Sequence, residues 1–268
     1  MSWDRQVSIK CDSEIAVMRK AGEINAQALA AAKDAVRPGV STAEINEAAE
    51  SVLKKYGVTS PFKNYPGPFP YPASTTVSVN DELVHGIPGK RRVKEGDIVS
   101  IDCGATYDGF VADSAISVAV GEVSAEAYHL LKVTEKSLYI GIEKMVAGNR
   151  IGDVSSAVQE YVEGEGLFVT REYTGHGVGR RMHEGPQVPN YGMPGNGMLL
   201  RKGMTIALEP MVLVGTHVTQ VQPDGWTVTS RDGSLTAHFE HSVAITDNGP
   251  MILTLLPDGT PPHQIAGQ

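Results

Sequence analysis

Apolar residues near the start of the chain recur at the three- and four-residue intervals of a single helix face. This pattern predicts a helix that begins at Asp12, taken as the N-cap, and ends at Pro38-Gly39. A second helix is predicted from Ser41, which has Glu44 at capping-box spacing, and it stops at Gly57. The chain therefore opens with two amphipathic helices.

The elements that follow repeat this order. After a proline-rich loop over 61–72, the pattern predicts strands over 75–79, 97–104 and 110–120, helices over 124–146 and 153–162, and strands over 205–214, 226–230 and 235–245. A shift of 109 residues also aligns the apolar faces of the second and fourth helices. The sequence thus predicts an α+β fold, with halves at about 12–120 and 121–250 packed around one antiparallel sheet and a cleft where they meet.

The composition narrows the class of protein. The chain has 268 residues, 41% of them hydrophobic, which is enough for one large domain with a core. Its net charge of −8 argues against nucleic acid as the primary partner. Two cysteines cannot form a disulfide framework, the first five residues have no signal-type apolar run, and no segment is apolar enough to span a membrane. We expect a soluble, cytoplasmic protein.

One predicted hairpin carries two carboxylates. Asp108-Gly109 lies between apolar runs and predicts a two-residue turn, so that Gly104 faces Asp113. Asp102 shares the face of Gly104, and the two aspartates become diagonal neighbours, roughly 7–8 Å apart at the backbone. Buried carboxylates this close repel unless they share a proton or hold a cation. An edge hairpin with solvated aspartates is the alternative.

Three further ionisable residues lie in unusual contexts. His176 has a glycine on each side, and Glu209 and Glu240 each interrupt an apolar strand. Each alone is compatible with a turn or an exposed charge. Together with the aspartates they supply oxygen-rich ligands and one imidazole, the set expected for two divalent metals about 3.5–4 Å apart. Such a pair activates water for attack on a carbonyl or phosphoryl centre, which predicts a dinuclear metallohydrolase without identifying the bond.

The segment around the histidine resembles a known signature. Residues 173–179, Tyr-Thr-Gly-His-Gly-Val-Gly, together with His183, Val188, Asn190 and Tyr191, resemble the signature of type I methionine aminopeptidases. The likeness extends from the first helix to about Pro257. It implies the pita-bread (creatinase/aminopeptidase) fold, an α+β architecture with internal pseudo-two-fold symmetry. It also implies one catalytic domain over 1–268 with no extra N-terminal domain.

The resemblance assigns roles to individual residues. It implies two divalent ions, of Co, Mn, Fe or Zn, with the ligands Asp102, Asp113, His176, Glu209 and Glu240. Of these, Asp113 and Glu240 would contact both ions, and Glu209 would also be the general base. The resemblance further implies that His85 and His183 bind the substrate amide and stabilise the tetrahedral intermediate, a task that suits a hydrogen-bond donor near neutral pH.

The implied reaction removes the initiator methionine from nascent chains whose second residue is small and uncharged. Family positions for the methionine pocket map onto Tyr71, Thr76, Met182 and Trp226. This chain departs from some relatives, which have cysteine at position 76, an aromatic residue at position 182 and a tyrosine-glycine pattern at Pro66-Gly67-Pro68. These differences affect the shape of the pocket and leave the metal chemistry untouched.

The resemblance also implies a monovalent cation near Asn80 and Thr236. The expected partners are the N-termini of nascent polypeptides that emerge at the ribosome, and we expect a monomer. Two alternatives stay open. One is a proline-specific (Xaa-Pro) peptidase of the same fold, which usually carries an extra N-terminal domain. The other is a non-catalytic peptide- or RNA-binding pita-bread protein, in which metal ligands have been lost.

Overall fold

The computed structural model describes residues 7–263, so the first five residues, judged above to lack a signal, lie outside the described part. The helices are α1 Asp12–Ala35, α2 Thr42–Lys55, α3 Ala125–Glu143 and α4 Ile151–Gly164. The strands are β1 Thr75–Val79, β2 Glu82–Val84, β3 Ile98–Tyr107, β4 Phe110–Ala119, β5 Phe168–Val169, β6 Thr174–Gly177, β7 Glu184–Pro189, β8 Thr205–Leu208, β9 Met211–Leu213, β10 Thr219–Val221, β11 Val228–Ser230, β12 Thr236–His238, β13 Glu240–Thr246 and β14 Gly249–Ile252. Among residues 7–263, no helix combines the length and apolar character that crossing a bilayer requires.

The helix starts follow from local hydrogen bonding. In α2 the predicted capping box is confirmed: Glu44 N donates to Ser41 Oγ at 3.3 Å, and Ser41 N donates to Glu44 Oε2 at 2.9 Å. In α1 the N-cap is Cys11, so the prediction of Asp12 is wrong by one residue. The reason is that Glu14 accepts a hydrogen bond from Cys11 N at 3.1 Å, which starts the helix one position earlier.

One antiparallel sheet of eight strands organises the chain. Its order is β1-β3-β4-β13-β8-β6-β7, with β14 paired to β13. Two three-stranded sheets, β10-β11-β2 and β12-β9-β5, accompany it. The core includes Ile24 and Leu29 of α1, Ile101 of β3 and Leu138 of α3, all fully buried. The predicted α+β class with a central antiparallel sheet is confirmed.

Two predicted strands pass from one sheet to another. The strand predicted over 205–214 is broken at Glu209-Pro210, and the one predicted over 235–245 is broken at Phe239. In each case one part joins the large sheet and the other joins a small sheet. Proline lacks the N–H that a continuous ladder needs, and Phe239 N donates to the carbonyl of Pro210 at 3.3 Å. Two bends therefore meet at the same place.

The other strand predictions are confirmed with shifted ends. The first strand has its predicted bounds, whereas the one predicted over 226–230 begins at Val228. Six short strands were not predicted because they span only two to six residues or are rich in glycine and proline; these are β2, β5, β6, β7, β10 and β14.

The two helix pairs correspond closely. Helix α2 spans 42–55 and α4 spans 151–164, an offset of 109 residues at both ends. The residue before each helix forms an isolated bridge, Ser41 with Arg92 and Arg150 with Leu199. These matches support halves at about 12–120 and 121–250, although that division stays a prediction.

Candidate active site

The aspartate hairpin forms with the predicted register. Tyr107 pairs with Phe110 and Gly104 with Asp113, so the turn is Asp108-Gly109. Both turn residues have positive φ, 47° and 74°, as a type I′ turn requires. The hairpin lies inside the large sheet between β1 and β13, and Asp113 is only 2% exposed. The alternative of a solvated edge hairpin is therefore wrong.

His176 lies in strand β6 and is buried, so it is not the turn residue that its glycine neighbours also allowed. Its Nδ1 is 2.9 Å from the carbonyl oxygen of Gly177, which fixes Nδ1 as the donor. The other ring nitrogen, Nε2, faces carboxylates, at 3.6 Å from Asp113 Oδ2 and 3.5 Å from Glu209 Oε1. This orientation is the one a metal-ligating histidine needs.

The two sheet-switching bends bring the glutamates to the same point. Glu209 follows β8 directly, and Glu240 begins β13, where it pairs with Ala115. Donor atoms of Asp113, His176 and Glu240 all lie within 4.8 Å of one another. We call the five predicted ligands the acidic cluster; they are Asp102, Asp113, His176, Glu209 and Glu240.

Several oxygens of the acidic cluster are buried without a partner. Asp102 Oδ1, Asp113 Oδ1 and Glu240 Oε1 have no hydrogen bond among the described residues. An unpartnered buried carboxylate oxygen is costly unless it binds a cation. Hard oxygen donors with one imidazole suit divalent ions such as Mn, Fe, Co and Zn. The residues present therefore fit a divalent metal.

Burial and mutual repulsion raise the pKa values of three carboxyl groups in the acidic cluster. Burial, together with the charges of Asp113 and Glu209, raises the pKa of Asp102 well above its usual value. Burial and the charge of Asp113 do the same to the pKa of Glu240. Burial raises the pKa of Glu209 to about 8, although His176 partly offsets it. Burial alone would lower the pKa of His176, but the nearby carboxylates of Asp113 and Glu209 raise it. A divalent cation relieves this repulsion.

The sequence reasoning missed two residues at this site. His238 is buried, with Nε2 at 3.6 Å from Glu209 Oε2 and 3.8 Å from Glu240 Oε2. Burial lowers its pKa to about 3. Tyr65 places its hydroxyl 2.6 Å from Nδ1 of His183. The position of His238 two residues before Glu240 was an available indication, whereas nothing local pointed to Tyr65.

One cavity of about 260 Å³ is lined by all the residues predicted to bind the divalent metals or the substrate. It is lined by Tyr71, Thr76, His85, Asp102, Asp113, His176, Met182, His183, Glu209, Trp226 and Glu240. Desolvation lowers the pKa of His85 to about 4. Desolvation and the neighbouring His176 lower the pKa of His183 to about 3. Both imidazoles are therefore neutral at pH 7 and can donate one hydrogen bond each to a bound molecule.

An aromatic and apolar wall closes one side of the cavity. The rings of Tyr71 and Trp226 meet edge to face with centroids 5.1 Å apart. The hydroxyl of Tyr71 donates to the carbonyl of Gly86 at 2.9 Å, which fixes that ring. Met182 and Thr76 are both less than a tenth exposed. The proline-rich loop thus contributes to a pocket wall, and the wall suits a flexible, apolar thioether.

The pair predicted for a monovalent cation is also adjacent in space. Thr236 Oγ1 donates to the carbonyl oxygens of Asn80 at 2.9 Å and Glu82 at 3.0 Å. Asn80 has a left-handed backbone, with φ of 62°, which turns its carbonyl toward β12. The structure therefore brings Asn80 and Thr236 together.

Comparison with known proteins agrees with this geometry. The metallopeptidase family M24 matches residues 16–247. A methionine aminopeptidase from Clostridium acetobutylicum is 52% identical over 250 residues, covering 93% of this chain and 99% of that protein. Methionine aminopeptidase 1 from Bacillus subtilis is 47% identical, covering 91% of this chain and 98% of that protein.

Solved structures give the same result for the fold. The crystal structure of methionine aminopeptidase from Thermotoga maritima matches with a TM-score of 0.90 and 47% identity, covering 92% of this chain and 99% of that one. An Xaa-Pro dipeptidase from Bacillus anthracis matches with a TM-score of 0.75 and 25% identity, and the match covers 62% of that longer chain. The pita-bread fold is therefore confirmed. The chain belongs to metallopeptidase family M24 and, within it, to the bacterial type I methionine aminopeptidases.

Proposed function

We propose that this protein removes the initiator methionine from polypeptides whose second residue is small and uncharged, using two divalent ions held by the acidic cluster. As a family member it is a metal-dependent aminopeptidase. The observation that carries the proposal is the convergence of four carboxylates and one imidazole, with unpartnered oxygens, in the cavity that also contains the apolar wall.

Charge balance supports two ions. The four carboxylates of the acidic cluster carry −4 when ionised, and they lie in a nearly closed site. One divalent ion leaves a net −2 that burial makes costly, whereas two divalent ions neutralise the cluster. The five residues of the cluster would hold them.

Side chains of the protein carry out the proton transfer and the hydrogen bonding to the substrate. When bound, the divalent ions supply Lewis acidity, which lowers the pKa of the nucleophilic water and polarises the scissile carbonyl. Glu209 accepts the proton of that water and passes it to the leaving amine, a role for a carboxylate that lies beside the metal site and faces the cavity. His85 and His183 donate hydrogen bonds to the substrate amide and to the charge that develops on its carbonyl oxygen.

The apolar wall determines which side chain is removed. Tyr71, Thr76, Met182 and Trp226 surround the methionine side chain, and the small volume of the cavity favours a small second residue. We further propose that the enzyme acts as a monomer in the cytoplasm, on chains that emerge from the ribosome. A monovalent cation near Asn80 and Thr236 would stabilise the strands that meet there.

A peptide assay tests the function. Chelator-treated protein is supplied with Mn(II) or Co(II) and given peptides that begin Met-Ala, Met-Lys or Xaa-Pro, with Xaa an amino acid other than methionine. We expect metal-dependent release of methionine from Met-Ala peptides, little release from Met-Lys and no cleavage of Xaa-Pro. Cleavage of Xaa-Pro peptides would instead assign a proline peptidase, and no cleavage by folded, metal-loaded protein would assign a binding protein.

A matched pair of variants tests the role of Glu209. Glu209→Gln is expected to lower kcat by roughly 100-fold or more while KM changes little, because a general base acts mainly in the transition state. Glu160→Gln makes the same change on an exposed position of α4 and should behave like the parent. Equal losses in kcat and in substrate affinity for Glu209→Gln would contradict the general-base role.

A further inference from the structure

A second cavity, of about 560 Å³, borders the catalytic one. Its walls come from the first turn of α4, from strand β7 and from the loop over 190–198. Gln187 of β7 is exposed and lines both cavities, so the two meet at this residue. We call the second cavity the edge groove.

The edge groove follows the last strand of the large sheet. Strand β7 pairs with β6 on one side, and no other strand within residues 7–263 pairs with its outer edge. Pro186 and Pro189 lack N–H groups, which protects this edge against pairing with a second copy of the chain.

Close packing holds the groove in a fixed shape. A Cβ atom at Gly152 would lie 2.2 Å from the carbonyl oxygen of Met193, so only glycine lets the loop approach the helix this closely. Gly152 N donates to Asn196 O at 2.9 Å, and Gly195 N donates to Asp153 Oδ1 at 2.7 Å. A wall that is already ordered costs less entropy when a flexible chain binds to it.

The lining is uncharged and mixed in polarity. No Asp, Glu, Lys, Arg or His of the described residues lines the groove. Tyr191 and Met193 present exposed apolar surface, at 38% and 67%. Ser155 is 2% exposed, and its hydroxyl has no hydrogen-bond partner among the described residues. Such a surface suits a neutral main chain with hydrogen-bonding groups, and its volume lies within the roughly 300–1,000 Å³ of ligand sites.

We infer that the edge groove receives the segment of the substrate polypeptide that follows its second residue. This inference rests on the proposed function. The catalytic cavity, at about 260 Å³, has room for the methionine and a small neighbour, and the rest of a polypeptide has to leave it. The junction at Gln187 offers a continuous path, along which residues three to about six of the substrate contact the groove.

Charges introduced at the groove test the inference. Met193 is highly exposed and lies outside the catalytic cavity, so Met193→Glu and Met193→Lys add charge without touching the acidic cluster. The substrates are Met-Ala-Ser, Met-Ala-Ser-Lys-Lys-Ser and Met-Ala-Ser-Asp-Asp-Ser, assayed at low ionic strength. Met251→Glu is the matched control, because Met251 is an exposed methionine on β14, which pairs with β13 and does not line the edge groove. If the Met193 variants fold poorly, Asn196→Asp is used instead, because it places a negative charge at another position of the groove loop.

The ratio of kcat/KM for the Lys peptide to that for the Asp peptide is compared with the parent. We expect this ratio to rise two- to five-fold in Met193→Glu and to fall by a similar factor in Met193→Lys, the size typical of an exposed ion pair. Added salt should reduce both effects. The Met251→Glu ratio should match the parent.

The experiment distinguishes failure of the groove assignment from failure of the proposed function. Parental ratios in Met193→Glu, Met193→Lys and Asn196→Asp, with normal cleavage of Met-Ala-Ser, would overturn the groove assignment and leave the proposed function intact. Failure of the metal-loaded parent to cleave Met-Ala-Ser would contradict the proposed function itself.

Discussion

Protein freed of metal by a chelator is expected to lose stability as the pH rises from 7 to 8. The pKa of Glu209 is about 8 in the folded protein, raised from 4.5 chiefly by burial. Between these values the folded state holds a proton that the unfolded chain has lost. A raised carboxyl pKa therefore stabilises the protein below pH 4.5 and this contribution disappears as the pH rises through 8.

The size of the effect follows from proton linkage. Each retained proton makes the free energy of unfolding fall by about 1.4 kcal/mol per pH unit. Because Glu209 is already partly ionised near pH 8, its share between pH 7 and 8 is about 1 kcal/mol. Asp102 and Glu240 also have raised pKa values and act in the same direction.

Above pH 7 the histidines no longer oppose the carboxylates, so the direction in which stability changes with pH is unambiguous. Four histidines have pKa values lowered to about 3 or 4 by burial; they are His85, His183, His238 and His241. Between about pH 4 and 6.5 the unfolded chain binds protons at these sites and the folded protein does not, so the histidine contribution to stability rises with pH there and opposes that of the carboxylates. Above pH 7 both states hold these histidines neutral, and the carboxylates of the acidic cluster dominate.

Thermal melts at pH 7.0, 7.5 and 8.0 check this reasoning. The share of Glu209, about 1 kcal/mol, corresponds to a Tm decrease of roughly 2–4 °C in a chain of this size, and Asp102 and Glu240 add to that decrease. Protein loaded with Mn(II) should show no such decrease, because the cation keeps the cluster ionised at every pH in the series. Glu209→Gln should have a shallower dependence than the parent. A Tm of metal-free protein that stays constant or increases over this range would refute the argument.

Three further substitutions test individual contacts in the structure. Gly67→Ala would place a Cβ 2.3 Å from the ring of Trp226, so we expect KM for methionine peptides to increase at least several-fold while metal binding stays parental, as a titration with Mn(II) would show. Lys10→Met leaves Glu184 buried without its cation at 2.7 Å and should cost about 3–5 kcal/mol in urea unfolding. Lys202→Met breaks an exposed ion pair and should change the stability little; equal costs for the two lysine variants would contradict the assignment.

The aspartate hairpin shows how much local pattern can predict. Asp108-Gly109 determines the turn type, the turn determines the register, and the register places Asp102 and Asp113 on one face. Each step depends on neighbouring residues only, so the prediction succeeds. The capping box at the start of α2 succeeds for the same reason.

Features that depend on contacts between distant segments of the chain could not be predicted from the sequence. The bends after β8 and before β13 form together, through the bond from Phe239 N to Pro210 O, and they turn Glu209, His238 and Glu240 toward one point. Alternation alone predicted two uninterrupted strands there. Strand β6 was likewise missed, because its glycines favour a turn locally and pairing with β7 and β8 overrides that preference.

A calorimetric titration of chelator-treated protein with Mn(II), in parent and Asp113→Ala, tests most directly whether the acidic cluster holds the metals. We predict two ions per parent chain, with protons released on binding, since carboxylates that retain protons must give them up. Asp113→Ala should remain folded, bind fewer than two ions and release no methionine from Met-Ala-Ser. A folded Asp113→Ala protein that binds two ions and retains parental turnover would contradict the account.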